Sequence, residues 1–540
     1  MSRVLILLIG IVLGYFLSYL GPLKPPVIIT TTIYSPTTLT TTLTTATTVT
    51  TTAVVTTTST VVETITVEIW RHDTNPPEIG EFNWSARVVN DKIYDIFINF
   101  KIRDDKTKIS YAEVRFIPER YYHFVTKYGM RPEDYDKVFP PEGERTYVLQ
   151  PADGAFDELE EEFRAEIRDI VGGKEYKIVV IAKDQAGNVE TFETKTPYIR
   201  QYENFGKTLL EKGIIIAASY YTWYRADEVN NWKDGYRYTP LLGEYSSSDE
   251  IVINKHVDWA TGHGINTFLI SWNGPAEASS KTKVFEDVFL NAYLVKNGEI
   301  KIAILYESGA RLRNSGSAFF DIFDFNDSYN REIFIKDLEY MNKKYFILTN
   351  YLKIKDKPFI YFYLSQAYRG DFDKVFKEAK EKIPFFACGS DITPYIKPWE
   401  INEVEKRLST FDAERSWVAL WVQNDPKYPE KYHDILKTKY EEWYNYLTTK
   451  GVLFIPSLIP SFDSRYVTWG SKAQYPLDKN LEKFNERINI IFPYLNATKI
   501  VVIDTFNDWF ESTNIEPSRE FEFKELEILK KNLIKLLKNE

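Results

Sequence analysis

The sequence holds a single cysteine, Cys388, in 540 residues, which excludes an internal disulfide framework. Its neighbours Phe385, Phe386 and Ala387 predict a buried thiol on a strand. Methionine is scarce too, at three, while lysine, glutamate, isoleucine and tyrosine abound, a composition that fits a thermophile. With five histidines and no H-E-x-x-H, a zinc signature is lacking, and His256 and His263 read as packing or surface residues. No G-x-G-x-x-G follows a strand, no phosphate-cradling G-K-[ST] loop occurs, and no G-x-S-x-G elbow is present. The net charge of −10 argues against nucleic acid as a partner.

What the chain does have is aromatic residues, at 16%, and one stretch where they meet carboxylates. Ile500-Val-Val-Ile-Asp504 reads as a buried strand that breaks into Thr-Phe-Asn507-Asp508-Trp509-Phe-Glu511 and closes at Glu516-Pro517. Asp508 and Glu511 stand three apart with Trp509 between them. A scissile bond that needs one acid and one base needs two carboxylates held on rigid backbone, so this pair is the candidate catalytic couple.

Taken in order, the chain opens on an apolar run, Val4 to Leu20, after Arg3 and before Gly21-Pro22-Leu23-Lys24. Its length suffices for a transmembrane span, and no small-x-small cleavage site follows cleanly. Residues 1–21 are thus expected to be a retained membrane anchor, or else a cleaved signal, with the body outside the cell. Residues 22–67 are threonine-rich without a periodic apolar face, which predicts an extended, unfolded stalk. From 68 to 199, alternation such as Ile96, Ile98, Phe100 and Ile102 predicts an immunoglobulin- or fibronectin-like β-sandwich acting as a spacer. Its segment around Arg131 to Leu149, with Pro140-Pro141, reads as a long loop.

From 213 to 540 buried-type strands alternate with helical patterns. They are Ile214–Ser219, Ile265–Ser271, Ile300–Tyr306, Pro358–Leu364, Pro384–Cys388, Trp417–Val422, Val452–Ile459 and Lys499–Ile503. Ser247 with Glu250 forms a capping box, and Leu526, Leu529, Leu533 and Leu536 share a face of the last helix. Eight alternations are what an α/β (β/α)8 TIM barrel requires, and its chemistry sits at the C-terminal strand ends. Those ends deliver Tyr221, Trp223 and Tyr224, then Trp272, Glu307, Tyr363, Trp421, Asp463, and finally Asn507, Asp508 and Glu511. Aromatic platforms, amides and carboxylates on one rim describe a cleft for an oligosaccharide or polysaccharide.

At these residues the sequence resembles glycoside hydrolase family 99, the endo-α-mannosidases, and the related WbsX-like proteins. The resemblance runs from about Gly213 to Pro517. It rests on Tyr220-Tyr-Thr-Trp-Tyr224, Pro240-Leu-Leu-Gly-Glu-Tyr245, Ser271-Trp-Asn-Gly274, Glu307, Ile455-Pro-Ser457 with Asp463, and Phe506-Asn-Asp-Trp-Phe-Glu511 through Ile515-Glu-Pro517. The last matches a family pattern Asn-Glu-Trp-His-Glu-Gly-Thr-x-Ile-Glu-Pro, which also brings Trp509 and Glu516 among the substrate-binding candidates. The resemblance implies a retaining endo-acting hydrolase that uses neither metal nor cofactor. It further implies that Asp508 takes a proton from the sugar 2-hydroxyl, which attacks the anomeric carbon to give a 1,2-anhydro intermediate. Glu511 then protonates the leaving oxygen and later activates water. Three departures stand out: Asp508 for glutamate, Phe510 for histidine and Ser512 for glycine. The competing reading is a glycan-binding or cell-envelope structural protein whose acid–base pair has degenerated.

Overall fold

The computed structural model describes residues 73–538 apart from 91–92, 228, 318–320, 393–396, 417–425, 427 and 470–474, and four earlier strands. Those four are β1 (Ile29–Tyr34), β2 (Thr38–Leu43), β3 (Thr50–Thr57) and β4 (Ser59–Thr66), paired in the order β2-β1-β3-β4. The threonine tract was expected to stay unpaired. β-branched residues favour extended backbone, and extended segments joined by short links can satisfy their amides in a ladder. The expected transmembrane segment is corrected as well. Among the described residues no helix is long and apolar enough to cross a bilayer, and Val4 to Leu20 lie outside them.

Two antiparallel sheets follow. β5 (Glu78–Asn90), β6 (Ile93–Arg103) and β9 (Glu160–Val171) form one, in the order β5-β6-β9. β7 (Ile109–Pro118), β8 (Arg145–Leu149), β10 (Tyr176–Asp184) and β11 (Val189–Lys195) form the other, in the order β11-β10-β7-β8. Ile96, Ile98, Phe100 and Ile102 from the first meet Val114, Phe116, Ile178 and Val180 from the second in one buried core. This period-2 alternation is why each sheet has a single apolar face.

The expected long loop within this region is instead structured. Helix Pro132–Val138, with proline at its first turn, and the strand β8 over Arg145 to Leu149 occupy it, and helix His123–Thr126 precedes it. The helical insert turns away from its own sandwich. Tyr121, Phe124, Tyr128, Met130, Val138 and Phe139 pack in the core of the C-terminal half. There the Lys255 ammonium donates to the Val138 carbonyl and lies 4.7 Å from the Phe139 ring. Burial pushes its pKa down to about 7.

The C-terminal half is a parallel barrel with strands Ile215–Tyr220, Thr267–Trp272, Lys301–Glu307, Lys357–Tyr363, Phe386–Ile392, Ala413–Ser416, Leu453–Leu458 interrupted at Pro456, and Ile500–Thr505. Each pairs with the next, and the eighth pairs with the first. The two pieces of the seventh strand close the ring, one on the sixth strand and the other on the eighth. Cys388 is buried on the fifth strand, as the apolar run around it suggested. Leu526, Leu529, Leu533 and Leu536 are buried on the last helix, Lys524–Lys538. The helix Glu250–Gly262 is capped by Asp249, whose side chain accepts from the Ile251 amide at 2.9 Å, and not by Ser247. The sixth strand lies upstream of the expected Trp417–Val422, all of which falls outside the described residues. Its Arg415 and Glu414 are fully buried, so the strand has none of the apolar signature used to find the others.

Candidate active site

The eighth strand hands directly into the turn that carries Asp508 and Glu511, and that turn is fixed at almost every residue. Asn507 clasps the backbone of Tyr221, accepting from its amide at 2.8 Å and donating to its carbonyl at 2.9 Å. The Asp508 amide donates to Thr505 Oγ1 at 3.1 Å, and Asp508 Oδ1 accepts the Glu511 amide at 3.1 Å. The Trp509 amide donates to the Tyr224 hydroxyl at 2.8 Å, which itself donates to the Asn507 carbonyl at 2.8 Å. The Glu511 carbonyl receives the Asp463 amide at 2.8 Å. Ser512 completes the turn at φ +57°, the left-handed region that favours glycine.

Under the turn lies a polar base. Glu516 is fully buried and accepts from Trp509 Nε1 and the Tyr245 hydroxyl, both at 2.8 Å, while His256 Nε2 stands 3.0 Å from its other oxygen. Three partners satisfy this carboxylate and lock the indole above it. Asp463 is buried between Arg465, at 2.9 and 2.8 Å, and Arg237, at 2.8 Å. Burial opposes its ionisation, but the hydrogen bonds and charge of Arg465 prevail and hold its pKa below the usual carboxylate value.

Around Asp508 and Glu511 stand Glu307, Tyr221 and Tyr363. Glu307 and Tyr363 are register partners at the ends of the third and fourth strands. Glu307 Oε1 accepts from Ser271 Oγ at 2.6 Å. Desolvation raises the pKa of each of the three carboxylates, and their mutual repulsion adds to it for Asp508 and Glu511. Asp508 is pushed up to about 7, while Glu511 goes well above its ordinary value, by burial first, then by Asp508, Asp504 and Glu307. The hydroxyls of Tyr221 and Tyr363 keep their protons firmly, because burial and the same carboxylates disfavour a phenolate. The three carboxyls of the cluster therefore hold their protons to higher pH than exposed ones would.

The half-buried residues here are Trp223, Glu307, Tyr363 and Glu511, and Trp223 stacks on Tyr221 at 4.0 Å with 19° between the planes. The other expected contact residues are buried, as Tyr221 and Asp508 are. Tyr224 stacks on Trp232 at 4.3 Å, and Asn507, Trp509, Asp463 and Glu516 carry essentially no exposed surface. They brace the turn from beneath. Trp272 is also fully buried, with its Nε1 donating to the Tyr345 hydroxyl at 3.0 Å, a packing that a core residue would have. Trp272→Ala should cost roughly 3–5 kcal/mol in denaturant unfolding, with ligand affinity of the folded fraction unchanged. A destabilisation below about 1 kcal/mol would return Trp272 to the cleft. Trp421 lies outside the described residues.

Sequence reading missed three kinds of residue. Lys281 sets its ammonium 5.0 Å from the Trp223 ring and 3.4 Å from Asn273 Oδ1, on a helix start with no motif to mark it. Arg415 and Asp504 form an ion pair at 3.2 Å, fully buried within the barrel. Tyr466 and Trp469 are half exposed on the loop after the seventh strand, and Trp469 meets Phe510 edge-on at 5.9 Å.

This is the site of a β/α barrel whose rim carries three interacting carboxylates. No sequence-family profile and no curated protein sequence matches the chain. A solved structure of a glycoside hydrolase-like protein superposes with a TM-score of 0.50 at 18% identity, covering 59% of this chain and 93% of that one. A family 99 endo-α-mannosidase from Bacteroides thetaiotaomicron gives 0.44 at 16% identity, over 60% of this chain and 97% of that one. At such identities the first likeness speaks for the barrel fold.

Proposed function

We propose that this protein is a retaining glycoside hydrolase that cleaves α-mannosidic or similar α-linked glycans, with Asp508 as base and Glu511 as acid. What carries the reading is the placement of these two carboxylates on one turn whose backbone is held by Thr505, Tyr224 and Asp463, with Glu307 beside them at the rim. Burial and mutual repulsion raise the proton affinity of both, which suits a pair that must give and take a proton near neutral pH. Their titrations are linked, so the pair as a whole sets the pH profile. Glu307, Tyr363 and Trp223 line the place where sugar hydroxyls and a sugar face would lie.

One observation favours a second reading, a glycan-binding protein that does not turn over. Asp508 is one methylene shorter than the family glutamate, and its Oδ1 is already engaged by the Glu511 amide. Incubating the protein with a panel of α-mannans and other α-linked glycans separates the two. Release of reducing ends with retained anomeric configuration supports the hydrolase. Saturable binding with no release supports the second reading.

A further inference from the structure

We propose that Asp73, Asp104 and Asp105 bind a calcium ion, which fastens the chain entering the sandwich to the turn between β6 and β7. The three residues offer carboxylate oxygens that all lie within 4.8 Å of one another. Oxygens that share one Ca2+ at about 2.4 Å are at most about twice that distance apart, so the spacing suits a single ion. Asp73 precedes β5 and Asp104-Asp105 follows β6, so the cluster joins segments some thirty positions apart in the chain.

Asp104 supplies the observation that separates this cluster from an ordinary acidic patch. Its Oδ1 takes the amides of Lys106 at 2.9 Å and Thr107 at 2.6 Å. Its Oδ2 remains for the cluster, and that oxygen is buried and meets no hydrogen-bond donor. An ionised oxygen without a partner in a buried setting is costly, and beside two further carboxylates the cost rises. Asp73 is buried as well, with its Oδ2 accepting from Thr107 Oγ1 at 2.8 Å and its Oδ1 from the Asn75 amide at 3.1 Å. The cation in reach is Lys106, 4.0 Å from Asp73 Oδ1, but its side chain is half exposed and faces one carboxylate of the three. Asp105 is exposed and also accepts from Asn75 Nδ2 at 3.2 Å, leaving that side open to the waters that complete a calcium shell.

The donor set chooses the ion. Carboxylate oxygens without histidine or cysteine suit a hard cation, and a cluster closed on one side and wet on the other suits the flexible coordination of calcium over the strict octahedron of magnesium. The surroundings indicate what the ion would do. Asn188 Nδ2 donates to the carbonyls of Asp73 and Asn75, both at 3.1 Å, and to Asp184 Oδ2 at 2.7 Å. The turn after β10 therefore already grips the entering segment from one side, and the ion would grip it from the other.

The test is calorimetric titration of CaCl2 into the chelator-stripped full chain, with thermal melts in parallel. We expect one saturable site with Kd below about 1 mM and a higher melting temperature in calcium than in an equal concentration of magnesium. Asp105→Asn, at an exposed position, should fold normally and weaken calcium at least about tenfold. Asp104→Asn should abolish binding. No saturable uptake below about 10 mM calcium, or unchanged affinity in a folded Asp105→Asn protein, would overturn the site.

Discussion

Glu511→Gln should slow hydrolysis of glycans with poor leaving groups by at least ~10²-fold while leaving their binding intact. The argument is electrostatic. Burial, then Asp508, Asp504 and Glu307, keep a proton on Glu511, and a carboxamide has no such proton to give. The hydrogen bonds that shape the turn use the backbone carbonyl and amide of Glu511, so the substitution leaves them in place. Substrates whose leaving group needs no protonation should lose less in the first step. Joint loss of binding and turnover in a folded variant would make Glu511 a positioning residue and defeat its assignment as acid.

Asp508→Asn should abolish turnover and also stabilise the protein, but only where the native carboxylate is asked to ionise. In the unfolded chain this group ionises near its ordinary value of 3.8, whereas burial, partly offset by the backbone amides of Glu511 and Phe510, holds the folded value at about 7. Below pH 3.8 both states increasingly carry the proton and the group's contribution fades. Between these values the unfolded state loses its proton first, so stability falls as pH rises, and above 7 the loss is complete. The variant should therefore melt a few degrees, on the order of 2–5 °C, above wild type at pH 8 and level with it near pH 3.5. Asp508→Glu should not raise the rate, because the turn is built around the shorter side chain accepting the Glu511 amide. An equal shift in melting temperature at both pH values would remove the buried-carboxylate account. Gain of turnover in Asp508→Glu on a previously inert protein would favour the glycan-binding reading.

The barrel was legible wherever a strand is buried on both faces, because a run such as Ile500-Val-Val-Ile needs no partner to be recognised. The sixth strand escaped because its successive buried side chains Glu414 and Arg415, on opposite faces, are both charged. Charge in a barrel interior is satisfied by residues far along the chain, here Asp504 and Ser457. The carboxylate pair was found because its spacing and its place after a strand are local. Which aromatics face the cleft was not local. Trp272 and Trp223 both sit at strand ends, and only packing against Tyr345 or Tyr221 separates core from rim. Trp469 and Tyr466 lie on a loop without periodicity, so nothing in the pattern marks them as half exposed beside Phe510. The part of the insert read as loop, from Arg131, was misread for a related reason. The insert's residues meet partners more than a hundred positions later, at Gly243, Asp249 and Lys255.

That insert also bears on how the two halves could be exchanged or separated. A Cβ on Gly243 would come within 2.2 Å of the Tyr128 carbonyl, so the two backbones are in direct apposition. The natural seam of this molecule thus does not run through the connector near residue 200. A barrel cut free there would lose the lid over the Lys255 ammonium and expose an apolar hollow shaped for Phe124, Met130 and Phe139. A sandwich of different ancestry could replace this one only by carrying the same plug between its third and fourth strands.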